Sequence, residues 1–148
     1  ILALDQSPFY AESGGQVGDQ GGFSGSNGSG QVTDCIKQGK IFLHKINLEE
    51  GSIKLNDTLK LSVASMMRSN AASNHSATHL MHAALKHVLG NHVEQKGSLV
   101  DSSKLRFDFS HPKAVTKDEL KQIELLVNQQ TLSNAEVKTE LMQLDDAI

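Results

Sequence analysis

The amino-acid sequence predicts an α+β protein in which a small β-barrel precedes an antiparallel sheet covered by helices. Short apolar stretches alternate with turn residues through residues 1–63, which is typical of a meander of strands. Residues 67–89 then carry apolar side chains at helical spacing and contain neither Pro nor Gly. A hairpin, a helix and a strand follow in the pattern, so we expect a β unit at 1–63 and an α+β core at 64–148.

The composition favours a globular protein of a reducing, aqueous compartment. A chain of 148 residues buries roughly 68–70% of its unfolded surface, so its core requires neither disulfides nor metals. Cys35 is the single cysteine, and the start does not resemble a secretion signal, so we expect a cytoplasmic location. The apolar runs are far shorter than the roughly 20 residues of a membrane span, and no membrane partner is expected.

The charge and the two ends add further expectations. The net charge of −3 is opposite in sign to that of a general polyanion binder, and we expect no DNA partner. The chain begins with Ile1 rather than Met, and both ends look cut. We therefore expect a piece of a longer polypeptide.

In the β unit, turn residues separate four predicted strands. The stretch 21–30 is rich in Gly and Ser, and we predict a flexible surface loop without chemistry there. The strands are expected at 1–5, 31–36, 40–46 and 58–63.

In residues 64–148, the spacing of apolar residues becomes that of a helix and then again that of strands. Gly90 ends the helix predicted at 67–89. Thr116 and Glu119 form a capping box that opens a second helix. The remaining predictions are strands at 92–100 and 105–110 joined by a turn at 101–104, a helix at 117–132 and a strand at 135–143.

Histidines gather on one face of the first predicted helix. His79 lies about 40° and His82 about 340° around the helix axis from His75, away from the apolar arc. Two imidazoles at i and i+4 can bind one cation and so supply half of a tetrahedral zinc site. The ordinary alternative is a solvated polar face.

The residue pattern leaves open which side chains would supply the other ligands of such a zinc site. His82, His92 or His111 could complete it. In zinc peptidases a Glu directly follows the first His, but Ser76 stands there in this sequence, which disfavours that class of enzyme.

Four segments resemble the editing region of alanyl-tRNA synthetases. They are SPFYAESGGQVGD at 7–19, NHSATHL at 74–80, HVEQKGSLV at 92–100 and LRFDFSH at 105–111. Together they cover nearly the whole chain in the order found in that family. The resemblance implies the editing domain common to threonyl- and alanyl-tRNA synthetases, here incomplete.

The same resemblance implies the hydrolysis of mischarged seryl- or glycyl-tRNA(Ala), with the acceptor end of tRNA(Ala) as the partner. The aminoacylation site of the ligase, with its ATP and Mg²⁺, would belong to other parts of the parent enzyme. The oligomeric state is not predicted.

The metal expected from the resemblance is zinc. In the family, the two helix histidines bind it together with a Cys and a His from a later Cys-x-x-x-His segment. Those two histidines match His75 and His79, whereas this sequence stops before the later segment. Two of the four ligands are therefore expected here. Zinc could hold the substrate or polarise a water molecule, and both uses stay open.

The resemblance also assigns catalytic and binding roles to polar residues. It implies catalytic roles for Thr78 and Gln95, and a pocket-covering loop at Gly14, Gly15 and Gln16 that contacts the acceptor end. Without it, Thr78 would be a helix residue bonded to its own backbone, and Gln95 an exposed strand residue.

Two other functions remain as alternatives. The chain could be a folded but catalytically silent module that lacks two zinc ligands. It could also be a free-standing editing protein, which the cut ends and the fuller synthetase-like motifs disfavour.

Overall fold

The computed structural model describes residues 1–136 and 140–143 and confirms the α+β class. Within these residues seven strands and two helices follow one another along the chain. They are β1 (Leu2–Ala3), β2 (Gly21–Gly25), β3 (Gly28–Gln38), β4 (Ile41–Gly51), β5 (Leu59–Val63), α1 (Ser65–Leu89), β6 (Gln95–Val100), β7 (Leu105–Phe109) and α2 (Lys117–Ser133).

The first five strands form an open antiparallel sheet, so the predicted β-barrel is wrong. The strand order is β1-β4-β3-β2-β5, and the two edge strands β1 and β5 do not pair with each other in the described part of the chain. A barrel closes only when its edge strands pair. Here β1 has only two residues, and β5 leads directly into α1.

The prediction of a flexible loop at 21–30 is also wrong, because this stretch forms β2 and the start of β3. Its glycines serve close packing of the backbone. A Cβ atom on Gly21 would overlap the carbonyl oxygen of Ser62, and one on Gly30 would overlap that of Asn47. Strands that approach each other this closely leave no room for a side chain at these positions.

We predict that Gly30→Ala destabilises the sheet by about 1–3 kcal/mol, because the added methyl group has to displace the backbone of β4. Gly22→Ala is the matched control, since the nearest atom to its added Cβ is 3.7 Å away. The control should be neutral or stabilising by up to about 1 kcal/mol. Urea unfolding of both variants measures the difference, and equal losses would contradict this account of the glycines.

One apolar cluster covers a face of the five-stranded sheet. Segment 7–19 contributes Phe9 and Ala11, which pack with Phe23, Val32 and Cys35. Burial raises the pKa of the Cys35 thiol, as expected of a cysteine that fills space in a core.

The second apolar cluster holds α1, the β6–β7 hairpin and α2 together. Ala84 and Leu85 of α1 pack against Val93 and against Ile123 of α2, with Phe107 and Phe109 beside them. All members of the first cluster fall within 1–63 and all members of the second within 64–148. The boundary between two domains stays a prediction.

The predicted helices and hairpin agree with the structure to within a few residues. Both halves of the capping box are present, because Glu119 N–H donates to the Thr116 hydroxyl and Thr116 N–H to the Glu119 carboxylate. In the hairpin turn, the Asp101 carboxylate accepts from the N–H groups of Ser103 and Lys104. No helix of the described residues has the apolar run that a bilayer crossing requires.

The last predicted strand is not found where the structure describes the chain. Residues 137–139 of the predicted strand 135–143 lie outside the described residues. Residues 135–136 and 140–143 are not in a strand. Asn134 ends α2 in the left-handed conformation, with φ 47°.

An ion pair with a buried carboxylate joins segment 7–19 to the start of α1. Asp19 is 6% exposed and accepts hydrogen bonds from Arg68 Nε and from Tyr10 N–H, each at 2.7 Å. Arg68 also donates to the Pro8 carbonyl oxygen at 2.8 Å. A buried carboxylate requires such partners, so this contact fixes how the segment meets the helix.

Candidate functional site

A two-residue turn presents Gln16 to the rest of the molecule. Gly14 and Gly15 have φ 59° and 84°, the left-handed values that a type I′ turn requires at both central residues. Ser13 and Gln16 flank the turn and exchange two backbone hydrogen bonds of 3.1 and 3.0 Å. Glycine adopts these angles without steric strain, so the Gly-Gly pair suits the turn.

The backbone on both sides of Gln16 is bonded to the end of β6. Val100 N–H donates to the Gly15 carbonyl oxygen at 2.8 Å, and Val17 N–H donates to the Val100 carbonyl oxygen at 3.0 Å. At Gly15, a Cβ atom would overlap the Ser98 hydroxyl and lie 2.9 Å from the Ser98 carbonyl oxygen. A residue without a side chain is therefore required for this approach.

The Gln16 side chain reaches the first histidine of α1. Gln16 is 6% exposed, and its Oε1 lies 2.8 Å from Nδ1 of His75. The rings of His75 and His79 stack with centroids 5.1 Å apart and an angle of 18° between their planes. His79 is exposed and His75 half-buried. The two predicted zinc ligands thus lie side by side at the edge of the docked turn.

Thr78 is buried in α1, and its hydroxyl donates to the carbonyl oxygen of Asn74 at 2.8 Å. This is the backbone bonding expected of a threonine inside a helix. Asn74 in turn donates through Nδ2 to the Asp101 carbonyl oxygen at 2.8 Å. The bonds of Thr78 and Asn74 connect the middle of α1 to the hairpin turn.

Gln95 is exposed at the start of β6, and its Nε2 donates to the Ser98 hydroxyl at 3.2 Å. Ser98 also faces Gly15, so one serine contacts both the turn and the predicted catalytic glutamine. Ser98 was not among the site residues predicted from the sequence. A lone serine in a strand carries no spacing or pairing signal, so nothing short of the fold reveals it.

A series of contacts links most of the predicted site residues. Gln16 bonds His75, His75 stacks on His79, and Gly15 packs against Ser98, which bonds Gln95. Thr78 is one helical turn from His75, but its hydroxyl is used within the helix.

The other candidate zinc ligands do not join this pair. His82 packs its ring on Phe107, with centroids 5.1 Å apart, and its buried Nε2 has no hydrogen-bond partner in the part of the chain that the structure describes. His92 and His111 bond each other at 2.9 Å. Among the described residues, no three His, Cys, Asp or Glu side chains are placed to hold one metal ion.

Local bonds fix the charges on the hairpin near the site. The bonds from Ser103 and Lys104 hold the pKa of the Asp101 carboxyl below its usual value. Lys96 bonds Glu94 at 2.8 Å and lowers the pKa of that carboxyl. Arg106 lies 3.2 Å from the Asp108 carboxylate. Lys96 and Arg106 of the hairpin are thus paired with neighbouring acids.

We predict that Gly15→Ala detaches the turn from β6, because both its φ and the nearby Ser98 backbone oppose a side chain. Hydrogen exchange at the Val100 amide should then accelerate about tenfold, which corresponds to the loss of one hydrogen bond.

Gly14→Ala is the matched control, since φ is also positive there but no atom of residues 1–136 or 140–143 lies within 4 Å of the added Cβ. It should cost about 1 kcal/mol of stability and leave the Val100 amide protected. Equal protection of Val100 in both variants would contradict the docking described here.

Comparison with known proteins places this chain in a family. Residues 1–67 match a family described as class II tRNA synthetases (A). The alanine–tRNA ligase of Nitrosomonas europaea is 52% identical over 149 residues, covering 100% of this chain and 17% of that protein. That of Francisella tularensis subsp. novicida is 54% identical over 139 residues, covering 94% of this chain and 16% of that protein.

The alanine–tRNA ligase of Cupriavidus necator is 48% identical and also covers 100% of this chain. The chain spans 17% of the length of this relative as well, so the similarity concerns one segment of a much longer enzyme. The family recognised from the four motifs is confirmed: by sequence, the chain belongs with the alanyl-tRNA synthetases and corresponds to one segment of them.

Proposed function

We propose that this segment edits tRNA(Ala) by hydrolysing the ester bond of seryl- or glycyl-tRNA(Ala). The observation that carries the proposal is the convergence of three distant sequence motifs. Gln16 bonds His75 across 59 residues of sequence, and Gly15 packs on Ser98, the bonding partner of Gln95. Polar side chains that converge from separate elements are typical of a binding or catalytic site rather than of a core.

The substrate in this proposal is the acceptor end of a mischarged tRNA(Ala), which approaches the exposed side of the cluster. Gln95 and His79 are exposed there, whereas Gln16 and Thr78 are buried behind them. Serine differs from alanine by a hydroxyl group, and a pocket recognises a hydroxyl best through polar groups that would otherwise stay unpaired. The bond between Gln95 and Ser98 uses Nε2 of the glutamine and the oxygen of the serine, so the Gln95 Oε1 and the Ser98 hydroxyl hydrogen are the suitable groups. Gly14 and Gly15 would border the terminal nucleotide.

Thr78 has a more limited part in the proposal. Its hydroxyl hydrogen is engaged by Asn74, so its oxygen can act only as an acceptor toward a substrate. A buried acceptor one turn from His75 suits the amino group of an aminoacyl ester.

Zinc is the metal we propose for His75 and His79. The fit rests on two observations: the rings lie one helical turn apart and nearly parallel, and Gln16 already occupies Nδ1 of His75. Zinc prefers imidazole nitrogen and commonly takes four ligands, so two more would come from outside this pair. When bound, it would supply a positive charge that holds the substrate or polarises an oxygen at the ester.

The ligase reaction itself belongs, in this proposal, to the parent enzyme. Joining alanine to tRNA(Ala) with ATP and Mg²⁺ would take place in segments other than this one. The role proposed for this segment is to remove the wrong amino acid afterwards.

A silent folded module is the second candidate, favoured by the lack of a third metal ligand among the described residues. Deacylation of seryl-tRNA(Ala) separates the two candidates when this chain is compared with a polypeptide that continues through a Cys-x-x-x-His segment. The proposal expects weak or no activity from the chain alone and strong activity, with bound zinc, from the longer protein. Equal activity of both, or none in the longer protein, would contradict it.

We predict that Gln95→Ala in the longer protein slows deacylation about tenfold, the loss that corresponds to one hydrogen bond to the substrate. Because Gln95 is exposed, unfolding should change by less than about 0.5 kcal/mol. The control is Gln38→Ala, an exposed glutamine at the end of β3, which should change neither quantity. A large loss of stability with unchanged turnover would assign Gln95 a structural role instead.

A further inference from the structure

We propose that Gln16 is a positioning residue that holds His75 in the tautomer with its proton on Nδ1, and so leaves Nε2 free to bind a ligand. The placement of the proton is independent of any activity, while its use in deacylation rests on the function proposed above. This role differs from the contact with the acceptor end expected of Gln16 from the family resemblance.

The bond itself dictates the tautomer. Gln16 Oε1 is a carbonyl oxygen and can only accept, and it lies 2.8 Å from His75 Nδ1. The ring nitrogen must therefore be the donor. A neutral imidazole carries one proton, so with that proton on Nδ1 the lone pair is on Nε2.

The glutamine is held so that it cannot easily release the histidine. Its N–H and its carbonyl oxygen both bond Ser13, and the adjoining Gly15 and Val17 both bond Val100. Gln16 is 6% exposed, so an unbonded Oε1 would be a buried acceptor without a partner, at a cost of about 1–3 kcal/mol. Backbone docking and burial thus both favour the bonded state.

The bond from His75 to Gln16 also affects the orientation of the His79 ring. His79 stacks on His75 at an angle of 18°, so fixing the plane of the first ring also restricts the second. Histidines that bind metals nearly always donate their other N–H to a fixed acceptor, which sets ring orientation and raises affinity. A carboxamide from a docked turn plays that part here.

The test is the protonation pattern of the His75 ring, read by long-range ¹H–¹⁵N correlation spectra of the chain labelled with ¹⁵N-histidine. The ring must be neutral, so spectra are recorded in alkaline buffer without metal or tRNA. The His75 signals are identified by their loss in His75→Gln. The proposal expects a pyrrole-type Nδ1 and a pyridine-type Nε2 in the unaltered chain.

Two substitutions at Gln16 separate positioning from packing. Gln16→Met keeps the length of the side chain but removes the acceptor, and the pyrrole-type signal at Nδ1 should be lost or averaged. Gln16→Glu keeps an acceptor and should restore it. Gln31→Met, on an exposed glutamine of β3, should leave the His75 signals unchanged.

A proton on Nε2 in the unaltered chain would overturn the proposal even if Gln16→Met failed to fold. An identical His75 pattern in folded Gln16→Met would also overturn it. A fixed Nδ1 proton in this chain, together with no deacylation by the longer protein that includes a Cys-x-x-x-His segment, would uphold the role of Gln16 and reject the proposed function. Deacylation by that longer protein, with the His75 proton on Nε2, would uphold the proposed function and reject the role of Gln16.

Discussion

The docking of the Gly14-Gly15 turn on the end of β6 is the interaction on which the site depends. Two backbone hydrogen bonds, from Val100 to Gly15 and from Val17 to Val100, hold a segment of the N-terminal half against the hairpin. Without them, Gln16 would have no fixed position relative to His75. Because both bonds are made by main-chain atoms, the side chains at the site remain available for other contacts.

The supports of this docking come from both apolar clusters. Phe9 and Ala11 anchor segment 7–19 in the first apolar cluster, and the ion pair of Asp19 with Arg68 anchors it to α1. On the other side, Ala84 and Leu85 hold α1 against Val93, directly before β6. The turn thus joins two surfaces that are each held by their own packing. His75, through Gln16, and Ser98, through Gly15, both contact this turn.

Local patterns in the sequence were enough to predict the second half of the fold. Helical spacing and Gly90 predicted the end of α1, and the residues that form the capping box predicted the start of α2. The chemistry of Asp101 and its neighbours predicted the hairpin turn. Each of these signals acts within a few residues of the place that it specifies, which is why it can be recognised without the fold.

The errors concern contacts between distant residues. Glycines at 21–30 have the composition of a loop, yet they form strands because Ser62 and Asn47 approach them across the sheet. The prediction of a barrel was wrong because the spacing of strands along the sequence does not determine whether the two edge strands pair. At the site, helical spacing predicted that His75 and His79 share a face. No sequence pattern indicated that Gln16 would bond His75 or that Ser98 would lie between Gly15 and Gln95.

The central claim is that the turn, the helix and the hairpin meet at one site, and proton–proton proximity in solution tests it most directly. A nuclear Overhauser spectrum of the folded chain should connect the α-protons of Gly15 with the backbone of Ser98. It should also connect the side-chain amide of Gln16 with the ring of His75. The absence of both sets of cross-peaks, in a chain whose β6–β7 hairpin gives its own, would contradict the account.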